Sequence, residues 1–203
     1  ILIDMEKTMT RGRPREFNVE DALAAALRVF WSKGYEGASL SDLTESMGIT
    51  RPSMYAAFGN KESLFRQALD LYEREKLAYV GEALRAPSAR GVARNLLEGA
   101  IDTVTGNECR GCLRVISSVA CQSAEPSIQE DVHRRTESSR EALIARMAQA
   151  IEDGDFHTPV EAEAITRYLL AVLQGLSIQA GSGATREQLQ QVAAAALAIW
   201  PSR

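Results

Sequence analysis

The sequence predicts an all-α protein in two parts. An N-terminal three-helix unit built on a helix-turn-helix precedes a larger helical body, with about nine helices in all. Three observations carry this. Apolar residues recur at three- and four-residue spacing along most of the chain, no stretch shows the alternation of a strand, and the breaks fall at glycine, proline and capping residues. No internal repeat or low-complexity tract interrupts the pattern.

The N-terminal elements follow in order. Val19, Leu23, Ala26, Leu27 and Phe30 mark an amphipathic helix ending near Lys33-Gly34. Ser39 is a good N-cap for a second helix whose apolar stripe is Leu40, Leu43 and Met47, and Gly48 follows where a helix ends in the left-handed conformation. Thr50 caps a third helix, with Pro52 in its first turn, where a missing N–H costs nothing. Two helices joined by a short glycine-containing turn form a helix-turn-helix, whose second helix enters the DNA major groove. Upstream, Arg11-Gly12-Arg13-Pro14-Arg15 sets three guanidinium groups on a non-helical arm suited to the DNA backbone or minor groove.

The body is helical too. Residues 61–83 read as one connecting helix, with Leu64, Ala68 and Leu71 at helical spacing. Pro87-Ser88 breaks it and caps a helix carrying Val92, Leu96, Ala100, Ile101 and Val104, which ends at Gly106. A short segment covers 112–120, and Pro126 opens a long helix to Asp153-Gly154 whose middle, 133–141, is polar on every side and reads as solvated. Pro159 begins a further helix, and Gly181-Ser182-Gly183 separates it from a last one over 185–200. Residues 165–178 are apolar in nearly every direction, which calls for burial on two faces. Gly175, at a cost of about 1 kcal/mol relative to Ala in mid-helix, points to a close backbone approach.

The residues Phe30, Gly34, Tyr35, Leu43, Gly48, Met54-Tyr55, Phe58, Lys61, Leu64 and Phe65 together resemble the N-terminal domain of TetR/AcrR-family transcription regulators. The match is detailed over the first third of the chain and extends to the rest only in size and helical character. It implies a basic arm over 1–15, a DNA-binding domain over 16–60, and an effector-binding and dimerisation domain over 61–203. It also implies a two-fold dimer on a palindromic double-stranded DNA operator, more often a repressor, with no cofactor, no enzymatic activity and a cytoplasmic address.

Position and chemistry nominate the DNA contacts. Thr50, Arg51 and Ser53 occupy the N-terminal turn of the reading helix, with Arg51 the choice for guanine. Tyr55 lies between core residues Met54 and Phe58, so its ring packs while its hydroxyl reaches a phosphate. Lys61 begins the connecting helix, where ammonium and backbone N–H groups suit a phosphate. Arg11, Arg13 and Arg15 supply the arm; Ser39 and Thr44 are backbone contacts, with capping alone an equal explanation for Ser39.

For the body, the resemblance implies an apolar cavity lined by Leu96, Ile101, Cys112, Ile116, Met147, Tyr168 and Val172, each equally readable as core. A dimer interface is expected from Leu169, Leu173, Gly175, Leu176, Leu189, Val192, Ala193 and Ala196. Cys109 and Cys112, three apart beside Arg110 and Arg114, support an alternative thiol-based redox or metal-responsive regulator, while Cys121 falls on the opposite side of a continuous helix. Cysteine is also a small apolar residue that simply packs.

Composition fits these readings. The 203-residue chain is 45% hydrophobic and 25% charged, ordinary for a soluble globular protein. Its net charge of −4 is awkward for a DNA binder only as a sum, because Arg11, Arg13, Arg15, Arg51 and Lys61 gather around the motif. An odd count of three cysteines disfavours a secreted disulfide framework. No apolar run approaches the roughly 20 residues of a membrane span, and residues 1–10 lack a signal-peptide pattern. His133 and His157 have no partner at ligand spacing, and neither a nucleophile elbow nor a phosphate-cradling loop is present, so no metal or catalytic site is expected.

Overall fold

A computed structural model of the chain describes residues 17–106, 111–113, 115–116 and 126–202. The arginines of the basic arm (Arg11, Arg13 and Arg15) and Cys109, Arg110, Arg114 and Cys121 lie outside the described residues. Nine helices stand among those described: α1 (Val19–Gly37), α2 (Leu40–Met47), α3 (Arg51–Phe58), α4 (Lys61–Lys76), α5 (Ala78–Ala83), α6 (Ala89–Val104), α7 (Pro126–Glu152), α8 (Ala162–Gly181) and α9 (Arg186–Ala198). The fold is all-α, and the described residues add only an isolated antiparallel bridge between Phe156 and Ser202. None of the described helices is long and apolar enough to cross a membrane.

The caps explain where the first helices begin and end. Asn18 Oδ1 accepts from the Glu20 N–H at 2.8 Å to start α1. The path of α1 leaves helical geometry at Gly34 (φ 70, ψ 177), where the sequence placed its end, and one further turn follows. α2 opens on a capping box: Ser39 Oγ accepts from Asp42 N–H at 3.0 Å while the Asp42 carboxylate accepts from Ser39 N–H at 3.0 Å. Gly48 (φ 64, ψ 29) closes α2 in the left-handed region.

Two apolar clusters organise the chain. In the first, Phe30, Tyr35 and Phe65 meet edge-on or stacked, with both Phe30–Phe65 and Tyr35–Phe65 centroids 5.0 Å apart, and Met54 and Phe58 anchor α3 beneath them. Full burial of each such side chain is worth about 1.5–3 kcal/mol, enough to fix the angle at which α3 leaves the surface. This cluster does not stop at residue 60. Leu64, Phe65, Ala68 and Leu69 of α4 belong to it, as do Leu113, Ile128 and Val132. The second cluster joins α6, α7, α8 and α9 through Leu96, Leu97, Ile101, Met147, Leu169, Leu176 and Leu189. Cys112 packs against both, and the Trp31 indole N–H donates to the Gly111 carbonyl at 2.9 Å, so this segment ties the clusters together.

Three expectations are corrected. The connecting helix is not continuous over 61–83: it ends at Leu77 (φ −111, ψ 8), and α5 restarts at Ala78. The break lets α5 press onto α6, where the Tyr79 ring lies so close to Gly99 that a Cβ there would come within 2.2 Å of it. The helix expected from Pro159 begins at Ala162 instead. The stretch 133–141 is not solvated on every side. Arg135 has a side-chain exposure of only 17% and pairs with Asp70 at 2.7 Å, Glu73 at 2.9 Å and the buried Asp131 at 3.0 Å.

Candidate nucleic-acid interface and effector cavity

The reading helix is built outward from its anchors. With Met54 and Phe58 buried, helical geometry turns Arg51, Pro52, Tyr55 and Ala56 to the surface, and Tyr55 is 47% exposed. Thr50 caps the helix, accepting from Ser53 N–H at 3.3 Å, and the Thr50 and Ser53 hydroxyls lie 2.9 Å apart. Arg51 Nη2 donates to Ser41 Oγ at 2.8 Å, which parks the guanidinium against the start of α2. Ser41 carried no sequence signal. Nothing in the spacing distinguishes it from any exposed helical serine.

Lys61 sits at the first turn of α4, just past the Gly59 turn and the Asn60 cap, whose Oδ1 accepts from Ser63 N–H at 2.8 Å. Its ammonium lies 4.4 Å from the Tyr35 ring centroid, a cation–π contact that fixes the side chain. Partial burial lowers its pKa, opposed by the nearby Glu36 carboxylate.

Ser39 and Thr44 have their hydroxyl protons engaged inside the protein. Ser39 Oγ donates to Asp42 Oδ2 at 2.8 Å and Thr44 Oγ1 to the Leu40 carbonyl at 2.9 Å. Of the two explanations open for Ser39, capping is the one its contacts display. Lys33 Nζ completes that corner 2.7 Å from Asp42 Oδ1, and together Lys33 and Ser39 hold the Asp42 carboxyl down to about 2.

A partly open cavity of about 140 Å³ lies between α4–α5, α6, α7 and α8, walled by the second cluster and by Tyr72 of the first. Of the seven side chains expected to line it, Leu96 and Cys112 do. Ile101 and Met147 point into solid core, Tyr168 packs 6.2 Å from Trp200, Val172 packs against the same core, and Ile116 sits under the first cluster. Helical periodicity identifies an inward face but does not separate a wall from a filled core. The residues missed include Tyr72, Tyr79, Thr103, Leu143 and Ser177. The Tyr72 hydroxyl donates to Cys112 Sγ at 3.2 Å, and burial together with that sulfur raises the phenol's pKa so that it keeps its proton.

The interface residues expected on α8 and α9 also turn inward. Leu169, Leu176, Leu189, Ala193 and Ala196 are buried by this chain's own helices, Val192 packs against the same core, and Leu173 lines the cavity. They close one core because the inner stripe of each helix faces α6. Gly175 differs: an added methyl would meet nothing within 4 Å among the described residues, so no described neighbour accounts for it. The outward faces carry Ala164, Ala171 and Ile178 on α8 and Ala194, Ala195 and Ala198 on α9, with Ile199 at its C-cap. Ile178 is 55% and Ile199 72% exposed. Among the described residues no group of three or more His, Cys, Asp and Glu side chains could hold a metal ion.

An outward-facing short helix anchored on a three-helix core, preceded by a capped helix and a left-handed glycine, is the working part of a helix-turn-helix DNA-binding regulator. The family model described as bacterial regulatory proteins, tetR family, matches residues 22–68. The chain is 30% identical over 196 residues to the HTH-type transcriptional repressor ComR of Escherichia coli (strain K12), covering 95% of this chain and 93% of that protein. With the repressor BdcR of the same organism it shares 31% over 199 residues, covering 96% and 95%. The structure matches a cysteine mutant of the TetR family transcriptional regulator CifR complexed with 26 bp double-strand operator DNA, with a TM-score of 0.84, 40% identity and coverage of 93% and 100%. It also matches a putative TetR transcriptional regulator from Rhodococcus sp. RHA1 with a TM-score of 0.63, 35% identity and coverage of 91% and 100%. The chain therefore belongs to the TetR family and is a DNA-binding transcriptional regulator rather than an enzyme.

Proposed function

We propose that the protein is a dimeric repressor that grips a palindromic double-stranded operator and releases it when a small molecule occupies the α4–α8 cavity. The observation that carries the DNA side is α3: two buried anchors, Met54 and Phe58, with Arg51 and Tyr55 turned outward. Arg51 reads a base after leaving Ser41, Tyr55 and Lys61 hold phosphates, Thr50 and Ser53 flank them, and Arg11, Arg13 and Arg15 follow the backbone or minor groove. CifR, at 40% identity, was captured on operator DNA, which supports the same role here.

The proposed division of labour runs 1–15 as arm, 16–60 as reading head and 61–203 as sensor and dimerisation body, with α4 shared by packing. Two copies meet through the outer faces of α8 and α9, where Ala171, Ile178, Ala195 and Ile199 are exposed and a methyl added at Gly175 would meet nothing among the described residues. Two-fold symmetry then sets both α3 helices one DNA turn apart, about 34–36 Å. The test is a footprint on DNA flanking the protein's own gene, read together with light scattering. A monomer in solution, or protection lacking two-fold symmetry, defeats this reading.

A further inference from the structure

We propose that Gln67 is a positioning residue for DNA recognition: its side-chain amide ties the end of the reading helix α3 to the first turn of α4. The inference takes α3 as the helix that enters the groove, and so rests on the DNA side of the reading above.

The tie starts from an orphan carbonyl. The last four carbonyls of a helix have no intrahelical partner, and α3 is only eight residues long. The Gly59 N–H serves the Tyr55 carbonyl at 3.0 Å, and Gly59 (φ 81, ψ −127) then turns the chain away. Phe58, the final residue, takes its donor from outside the helix: Gln67 Nε2 donates to its carbonyl at 3.3 Å. The same nitrogen reaches the Ser63 carbonyl at 3.3 Å and Ser63 Oγ at 3.2 Å. Two of these partners are carbonyls, which only accept, so the amide's nitrogen and not its oxygen must face them. A half-buried side chain in the second turn of α4 thus brackets the end of α3 against the turn that carries Lys61.

The bracket gains its importance from how α3 is anchored. Met54 and Phe58 stand four residues apart and form one line along the helix, with half-buried Ala57 beside them. Such a line fixes depth but resists rolling weakly, and a roll would swing Arg51 and Tyr55 relative to Lys61. A tie to the backbone at one end opposes the roll without occupying the outward face. Sequence-specific binding needs those three groups in one arrangement, whereas non-specific binding needs only positive charge near phosphates.

Gln67→Met keeps the length of the side chain but donates nothing. Its affinity is read by fluorescence anisotropy on two labelled duplexes, one selected by the unmodified protein from a randomised pool and an unrelated one of equal length. Loss of one ordinary net hydrogen bond lowers the competent fraction, so the selected duplex should bind about five-fold more weakly for each head engaged. The unrelated duplex should change by less than about two-fold, because the phosphate charge it feels is unaltered. Unchanged affinity for the selected duplex in folded Gln67→Met, or an equal loss on both duplexes, overturns the inference. Should Gln67→Met not fold, side-chain amide exchange of Gln67 in the unmodified chain on the selected duplex decides. Slow exchange supports the tie, and exchange at the rate of an exposed amide overturns it. Tyr55→Ala separates this inference from the wider reading. If it weakens binding where Gln67→Met is silent, α3 still reads DNA and only the bracket fails; if neither variant weakens binding, both fall.

Discussion

Individual side chains divide sharply between those that build the reading head and those left over to act. Met54 and Phe58 are sealed, whereas Tyr55 stands half exposed and Lys61 is fixed above the Tyr35 ring. Lys61→Ala is expected to weaken every DNA sequence about equally and to lower the salt slope of binding by about one, as loss of a single phosphate contact does. Titrations of affinity against salt check it, and an unchanged slope removes Lys61 from the interface. Arg51 should behave differently. Arg51→Ala is expected to cost about 1–3 kcal/mol on the cognate operator while relaxing the preference at one base pair. Selection from a randomised site reads that directly. Ser41→Ala serves as the companion variant, because it frees Arg51 from its 2.8 Å contact without touching the guanidinium.

Whole elements answer to their ends. Gly48 closes α2 with φ at 64 and nothing within 4 Å of a built Cβ, so Gly48→Ala meets no clash and pays only for the left-handed conformation, about 1–2 kcal/mol. Chemical denaturation measures this, and a neutral result means the turn relaxes. The opposite end of α2 predicts a pH response. Asp42 is depressed from 3.8 to about 2 by Lys33 and Ser39, so its stabilisation is complete above the unfolded value and fades as pH falls from 3.8 toward 2. Asp42→Asn should flatten that part of the acid limb; an unaltered acid profile sinks the assignment. These ends were legible in the sequence, because Ser39, Gly48, Thr50 and Pro52 each declare a local backbone preference. The kink at Leu77 was not legible. It follows from Tyr79 lying against Gly99 one helix away, a tertiary fit to which periodicity is blind. The same blindness explains why Leu96 and Cys112 were found in the cavity wall while Ile101 and Met147 proved solid core. Periodicity likewise marked the inward stripes of α8 and α9, which this chain's own core buries, and gave no separate signal for their outer faces.

At the scale of the molecule, the question is how a filled cavity reaches α3. α4 touches both ends of that path: Lys61 opens it beside the reading helix, while Tyr72 and, just past its end, Leu77 line the cavity. Polar ties bind α4 to α7 at two heights, Ser127 to Glu62 at 2.7 Å near the head and Arg135 to Asp70 and Glu73 further along. Burial works against the charge on Arg135, but its three carboxylates outweigh that and raise its pKa above the usual arginine range. The guanidinium therefore keeps its charge at any working pH and, at 17% exposure, is held more firmly than the cation of an ion pair on an open surface. We predict that Arg135→Ala lowers stability by about 2 kcal/mol, less than the 3–5 kcal/mol for breaking a fully buried pair, because Arg134 remains beside Asp131 and Asp70 is largely solvated. The diagnostic effect is on communication. With this tie cut, α7 holds α4 only through the contacts nearer the head, so the ratio of operator affinities with and without effector should fall toward one while affinity for effector alone is kept. Arg135→Lys, which keeps the charge but loses the planar fork, should restore part of that ratio. A variant that folds, binds both ligands and retains the full ratio would show that the signal travels elsewhere, through the Trp31–Gly111 link for which Trp31→Phe is the matching probe.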